Sequence, residues 1–286
     1  RVSRVWWDQD DGHAVGGDHV VVADGYSKIV EGLALHADVR LQHEVSRIEH
    51  DARGVRVLTN GGRHSFEADA VLVTVPLGVL KANTIKFAPA LPAWKREAIQ
   101  RLGFGPIEKV VLLFKRAFWP DDCDFFGCLA PRELGTDELA ARRGEAFMFW
   151  NLRRSHGIDA IMRISSGAYA ERLQARGMSY NKVVETALSA LARTFGAVAR
   201  ESFRKPVVSD WGRNPYCRGS YSYVGVESSG ADYDELARPV GSRVFFAGEG
   251  THGQHPATAT GAFLSGVREA QRIDEGARTA RPTQGC

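Results

Sequence analysis

The 286-residue chain contains no apolar run approaching the roughly eighteen residues of a membrane helix, which excludes a helical span of that kind. Its four cysteines, Cys123, Cys128, Cys217 and Cys286, lack the spacing of a zinc cage, because the one close pair has no histidine pair beside it. They read as free thiols in a reducing compartment. There is no Gly-x-Ser-x-Gly elbow, no His-Glu-x-x-His pair and no His-Cys cluster, so neither a hydrolase triad nor a metal site is expected. The formal charge of +3 makes no independent case for nucleic-acid binding, and no dense Lys/Arg tract is visible. Low-complexity tracts, internal repeats and a dividing Pro/Gly/Ser linker are missing as well. Arg1-Val-Ser-Arg-Val-Trp-Trp7 has neither an initiator Met nor a signal-like apolar stretch, and reads as the cut end of something longer.

What remains is a globular composition, 44% hydrophobic and 25% charged, long enough to bury a large core in one or two domains. Helical spacing from Gly25 to Leu35 precedes strand patterns at Val39–Ile48, Val55–Thr59, Arg63–Phe66 and Ala70–Val75, with Asn60-Gly61-Gly62 as a tight turn. Pro92 opens a helix through Leu102 that Gly103 stops, and Lys109–Phe114 is an apolar strand. A longer helix from Tyr180 to Phe195 is capped by Ser179 and closed by Gly196, with Val183, Val184, Ala187, Leu188 and Leu191 on its buried side. Pro131 to Arg143 is polar enough for a surface loop. The class is mixed α/β.

The most informative stretch is Val244-Phe-Phe-Ala-Gly-Glu-Gly-Thr251, followed by His255-Pro-Ala-Thr-Ala-Thr-Gly-Ala262. A short buried strand ends in a turn whose glycines let backbone approach a ligand. An apolar stripe (Ala262, Leu264, Val267, Ala270, Ile273, with Phe263 alongside) then makes a helix whose N-terminus can face an anion. Gly248-x-Gly250-x-x-Gly253 matches the dinucleotide fingerprint by letters alone. That fingerprint needs a helix within the glycine run and a second parallel strand bearing an acid, whereas Pro256 interrupts here and only a polar tail follows the helix.

This stretch resembles the C-terminal flavin motif of the FAD-dependent amine oxidases. Trp7-Asp-Gln-Asp-Asp11, Gly16-Gly-Asp-His19, Ala98-Ile-Gln-Arg-Leu-Gly-Phe-Gly105, Arg143-Gly-Glu-Ala-Phe-Met-Phe-Trp150, Arg218-Gly-Ser-Tyr-Ser-Tyr-Val224 and Ser228-Ser-Gly-Ala-Asp-Tyr-Asp234 are most similar to flavin-type lysine-specific histone demethylases. Thr74-Val-Pro-Leu-Gly-Val-Leu-Lys81 is shared with polyamine oxidases. The resemblance implies an FAD-linked amine oxidase fold: residues 1–75 as part of an FAD-binding domain, 76–209 as a substrate domain on a mixed sheet, and 210–286 as the return to the FAD domain. The family's upstream Gly-x-Gly-x-x-Gly turn, which binds the ADP half of FAD, is not in this chain.

By the same resemblance Lys109 is the lysine that holds a water near flavin N5, with burial expected to depress its pKa. Tyr221 and Trp211 wall the amine pocket, where aromatic faces suit a methylammonium group, and Tyr216 is a weaker candidate. For the cofactor the resemblance implies Gly248, Glu249 accepting hydrogen bonds from the ribityl or pyrophosphate end, backbone contacts from Thr258, Ala259 and Thr260, Val45 at the adenine, and Thr74, Pro76 and Leu77 nearby. By residue type alone, Val45 and Leu77 are core. Ser220 stands where monoamine oxidases carry a flavin-linking cysteine, so FAD is expected to be non-covalent. Gly250, His255 and Ala259-Thr260 depart from the usual motif beside the flavin.

The expected function is oxidation of a C–N bond by FAD with O2 reduced to H2O2, acting on mono- or dimethyl-lysine in histone tails. The implied partners are a methylated histone peptide and a chromatin complex, and the implied location is the nucleus, otherwise the cytoplasm. One alternative is a polyamine oxidase, which the stretch Asn83-Thr-Ile-Lys-Phe87 favours somewhat. An alternative of another class is a non-catalytic interaction module unable to hold FAD alone.

Overall fold

The computed structural model describes residues 2–14, 16–17, 22, 24–129, 135, 145–175 and 179–280. The loop expected at Pro131 to Arg143 (Gly135 apart), Asp18, His19 and Cys286 lie outside the described residues. In chain order the elements used below are α1 (Ser27–Leu33), β1 (Val45–His50), β2 (Val55–Thr59), β3 (His64–Ala68), β4 (Val71–Val73), α2 (Leu77–Ala82), β5 (Lys86–Ala88) and α3 (Ala93–Arg101). The middle of the chain forms β6 (Gly103–Gly105), β7 (Glu108–Phe114), β8 (Phe125–Gly127), β9 (Met148–Asn151), α4 (Leu152–His156), β10 (Ala160–Ser165), α5 (Gly167–Ala175) and α6 (Tyr180–Phe195). It closes with α7 (Val198–Glu201), β11 (Phe203–Val208), β12 (Tyr221–Tyr223), α8 (Ala231–Ala237), β13 (Val244–Phe246) and α9 (Ala259–Ala280).

The chain divides into two compact units, the first within Arg1–Asp18, His36–Phe104 and Pro215–Cys286, the second within His19–Leu35 and Gly105–Asn214. In the first unit β3-β2-β1-β5 form one sheet, antiparallel through β1 and then parallel to β5. The β2–β3 connection works because Asn60, Gly61 and Gly62 all take positive φ (51, 68 and 91°). Strand β1 starts at Val45, not Val39: Val39 and Leu41 are exposed, so the alternation read there buries nothing. β4 and β13 pair in parallel, and their apolar residues join a core of Ile48, Leu77, Ile99, Leu102, Tyr233 and Leu236. Each fully buried side chain of this size contributes roughly 1.5–3 kcal/mol.

In the second unit the sheet order is β11-β7-β10-β9-β8, with β7, β9 and β10 antiparallel. Alternation along β7 turns Glu108, Val110, Leu112 and Phe114 inward and leaves Lys109 exposed. Helix α6 runs as expected, Ser179 accepting from the Lys182 amide and Gly196 ending it at φ 80°. Its apolar side, Val183, Val184, Ala187, Leu188 and Leu191, shares a core with Val110, Leu112 and Phe149.

Helix α9 differs from its sequence pattern. The inward stripe is Gly261, Ser265 and Glu269, whereas Phe263, Leu264 and Val267 are 52, 38 and 39% exposed. Polar groups go inside because each finds a partner: Ser265 Oγ accepts the Gly248 N–H at 2.8 Å, and Glu269 pairs with Arg268 and Arg272.

Candidate functional site

In the first unit the carboxyl ends of β4 and β13 lie side by side, and the Ala247 N–H donates to the Val73 carbonyl at 3.1 Å. Carboxyl ends of parallel strands are where open α/β sheets take ligands. Thr74 and Pro76 leave one strand at this end, and Gly248 and Glu249 leave the other. Thr74 is exposed and Pro76 half-buried, while Leu77 is 3% exposed and packs in the core. Val45 is in the four-stranded sheet of the unit, half-buried and opposite Thr59.

Glu249 is the hub of the turn after β13. Its Oε2 accepts from Ser222 Oγ at 2.6 Å and from the Ala257 amide at 2.9 Å, and its Oε1 accepts from the Ser222 amide at 3.1 Å. Burial pushes the carboxyl pKa up, and the three donors pull it back down. Ser222 follows Tyr221 directly, so one carboxylate ties β12 to the flavin-motif turn and to the loop before α9. Ser222 Oγ also lies 3.5 Å from the Tyr233 hydroxyl, whose pKa burial pushes up to about 12. Tyr221 itself is 39% exposed, and burial of the rest raises its pKa.

The loop into α9 is held with equal care. Ala257 sits at φ 59°, a left-handed position uncommon for a residue with a Cβ. Thr258 Oγ1 accepts the Gly261 amide at 2.9 Å, the N-capping bond of the helix. Gly261 allows the helix to touch the loop, since a Cβ there would overlap the His255 carbonyl. Arg268 donates to the Thr251 carbonyl at 2.8 Å and pairs with the buried Glu269, which braces the turn from the helix side. Meanwhile Ala259 and Thr260, in the first turn of α9, are exposed, and Gly248, at φ 129°, has open space where a Cβ would be.

In the second unit Lys109 lies on the open face of the sheet, in register with Ile164. Val111, Met162, Met148 and Trp150 share that face, making a half-exposed apolar plane beside Lys109, and Lys205 of β11 lies on the same face opposite Leu113. The burial expected of Lys109 is not found in this chain. Trp211 is 45% exposed in the turn after β11. Tyr216, of the first unit, is 61% exposed. Ser222, Glu108, Ser209 and Arg268 escaped the sequence reading. Ser222 and Glu108 each adjoin a residue singled out there, but their inward orientation has no local signal.

The chain belongs to the flavin-containing amine oxidoreductase family, whose model matches residues 3–274. It is 43% identical over 282 residues to lysine-specific histone demethylase 1 homolog 3 of Arabidopsis thaliana, covering 95% of this chain and 17% of that protein. It is 42% identical to homolog 2 of the same plant, covering 95% and 35%, and 38% identical to a possible lysine-specific histone demethylase 1 of Drosophila melanogaster, covering 93% and 32%. The chain thus spans about a third or less of these relatives. A solved putrescine oxidase with redesigned cofactor binding shares the fold, with a TM-score of 0.68 at 24% identity over 88% of this chain and 53% of that one. Family membership implies FAD. The open backbone at Gly248, the exposed first turn of α9 and the strand ends beside Thr74 suit a flavin edge. The Glu249 oxygens are already occupied by this chain's own donors.

Proposed function

We propose that this chain is the portion of a flavin-dependent amine oxidase that carries the amine-facing residues and the C-terminal flavin turn, acting on mono- or dimethyl-lysine of histone tails. The observation that carries this reading is identity of 38–43% to lysine-specific histone demethylases over 93–95% of the chain. FAD, when bound, accepts a hydride from the carbon beside the amine nitrogen and passes the electrons to O2. Gly248, Thr258, Ala259, Thr260, Thr74 and Pro76 would hold it through backbone and helix N-terminus, and Val45 would serve its adenine end. Glu249 keeps that turn in shape. Tyr221 and Trp211 each offer a partly exposed aromatic face that suits a methylated amine, and the oxidation itself requires the uncharged form with its lone pair, which removal from water favours. Lys109 holds water through its ammonium Nζ. The oxidised substrate carbon is lost as formaldehyde after water adds. Trimethyl-lysine has no lone pair and is not a substrate. The histone-facing role places the protein in the nucleus with chromatin as its partner.

The test is the visible spectrum of the purified protein after FAD loading and desalting, with amine added anaerobically. Bleaching by a dimethyl-lysine peptide supports the reading, and bleaching by spermine alone replaces it with polyamine oxidation. A protein that retains flavin and responds to neither is not an amine oxidase of either type. The Lys109→Met variant should slow reoxidation by O2, and an unchanged rate removes Lys109 from the site.

A further inference from the structure

Glu108 is the one acidic residue of β7, and it points into the unit at 4% exposure, while its neighbour Lys109 points out. An inward carboxylate is costly unless donors meet it. Here they come from the segment that carries Trp211. Glu108 Oε2 accepts from Ser209 Oγ at 2.6 Å and from the Trp211 amide at 3.4 Å, and Oε1 accepts from the Gly212 amide at 3.2 Å. The same serine locks onto the lysine: the Lys109 amide donates to Ser209 Oγ at 2.7 Å, and the Ser209 amide donates to the Lys109 carbonyl at 2.9 Å.

We infer that Glu108 is a positioning residue for amine oxidation: through Ser209 and two main-chain amides it fixes the turn bearing Trp211 onto the strand bearing Lys109. This rests on the reading above that Trp211 walls the amine and Lys109 serves the flavin. Within the turn the Asn214 amide donates to the Asp210 carbonyl at 3.1 Å, while Trp211 is half exposed and the Arg213–Asp210 ion pair beside it is at the surface. A charged acceptor is the suitable anchor because one carboxylate can take several donors at once. Glutamine cannot do this. Its amide nitrogen would face an N–H or a hydroxyl already committed to Lys109, so at least one main-chain amide loses its acceptor.

The experiment uses the FAD-loaded enzyme labelled with 5-fluorotryptophan, the Trp211 fluorine signal being assigned by its loss in Trp211→Phe. In Glu108→Gln that signal should shift or broaden while the other tryptophan signals hold. In anaerobic flavin reduction the half-saturating amine concentration should rise about tenfold with the limiting rate changed less, as expected for a misplaced wall. In a Trp211→Phe background the same substitution should add less than about twofold, because coupled residues do not add. Ser209→Ala, which removes only the hydroxyl bridge, repeats both arms if Glu108→Gln does not fold. An unmoved Trp211 signal, or losses that add in full, overturns the inference. A wild-type flavin that no amine reduces overturns the functional reading instead, and the fluorine arm shows the two failures apart.

Discussion

Replacing Glu249 with alanine tests the hub of the flavin turn most directly. The substitution removes the acceptor of the Ser222 hydroxyl, the Ser222 amide and the Ala257 amide. The hydroxyl can turn toward Tyr233, 3.5 Å away, but the two amides have no second acceptor among the described residues. An orphaned buried amide costs about 1–3 kcal/mol, so two cost about 2–6. Against this stands the relief of desolvating a carboxylate whose pKa burial has raised. That relief lowers the expected loss to about 3 kcal/mol. Ala257 should respond first, since its amide bond to Glu249 helps hold a left-handed backbone at φ 59°. Urea unfolding should show the midpoint falling with the slope unchanged, and FAD affinity should fall with it. Hydrogen exchange at Ser222 and Ala257 should rise more than elsewhere in the unit. Wild-type exchange at both amides, whatever the activity, would refute the assignment of Glu249 as the holder of this turn.

Lys95 is fully buried, its Nζ donating to the Glu235 and Leu236 carbonyls at 2.9 and 2.7 Å and to that of Arg238, and burial holds its pKa down at about 7. The unfolded chain therefore binds the extra proton between about pH 7 and 10.5, and stability should rise with pH across that window by up to about 1.4 kcal/mol per unit. Lys95→Met should remove this slope in urea titrations at several pH values, and an unchanged slope would sink the point. Gly261→Ala gains about 1 kcal/mol of helix propensity but drives a Cβ into the His255 carbonyl, so a net loss of about 1–3 kcal/mol is expected in thermal unfolding. Arg163 is fully buried, its guanidinium has no hydrogen-bond partner within 3.5 Å among the described residues, and its carbon lies 5.5 Å from the Tyr169 ring, so Arg163→Met should leave stability unchanged or raise it by about 1–4 kcal/mol, and a marked loss in urea unfolding would show that the Tyr169 contact outweighs the cost of burying the cation.

The elements legible in the sequence are those with local punctuation. β2 and α6 match their expected bounds because a positive-φ turn ends one and a serine cap with a closing glycine brackets the other. Sequence and structure part where a side chain's orientation depends on a distant partner. Apolar spacing in α9 suggested that Leu264 and Val267 face inward, yet Ser265 and Glu269 do, since Gly248, Arg268 and Arg272 supply what they need. Glu108 and Lys109 look alike in the sequence, two charged residues opening an apolar strand. Only the donors of residues 209–212 decide which of them turns in.

The two candidate pocket aromatics are set by one device used twice. In the first unit a half-buried carboxylate, Glu249, takes a serine hydroxyl and two main-chain amides, and that serine adjoins Tyr221. In the second, Glu108 takes a serine hydroxyl and two main-chain amides, one of them that of Trp211. In both places the ring stays partly exposed while its backbone is fixed by a charged acceptor behind it. A ring held this way keeps its exposed part free for substrate, because main-chain bonds share its placement with packing. It follows that each aromatic can be exchanged for another ring with little loss of stability, whereas each carboxylate cannot. Tyr221→Phe and Trp211→Phe should therefore unfold within about 1 kcal/mol of the wild type, as expected for half-exposed side chains, while Glu249→Ala and Glu108→Ala lose several times that. Equal losses at ring and carboxylate would mean that the rings hold the turns, not the carboxylates.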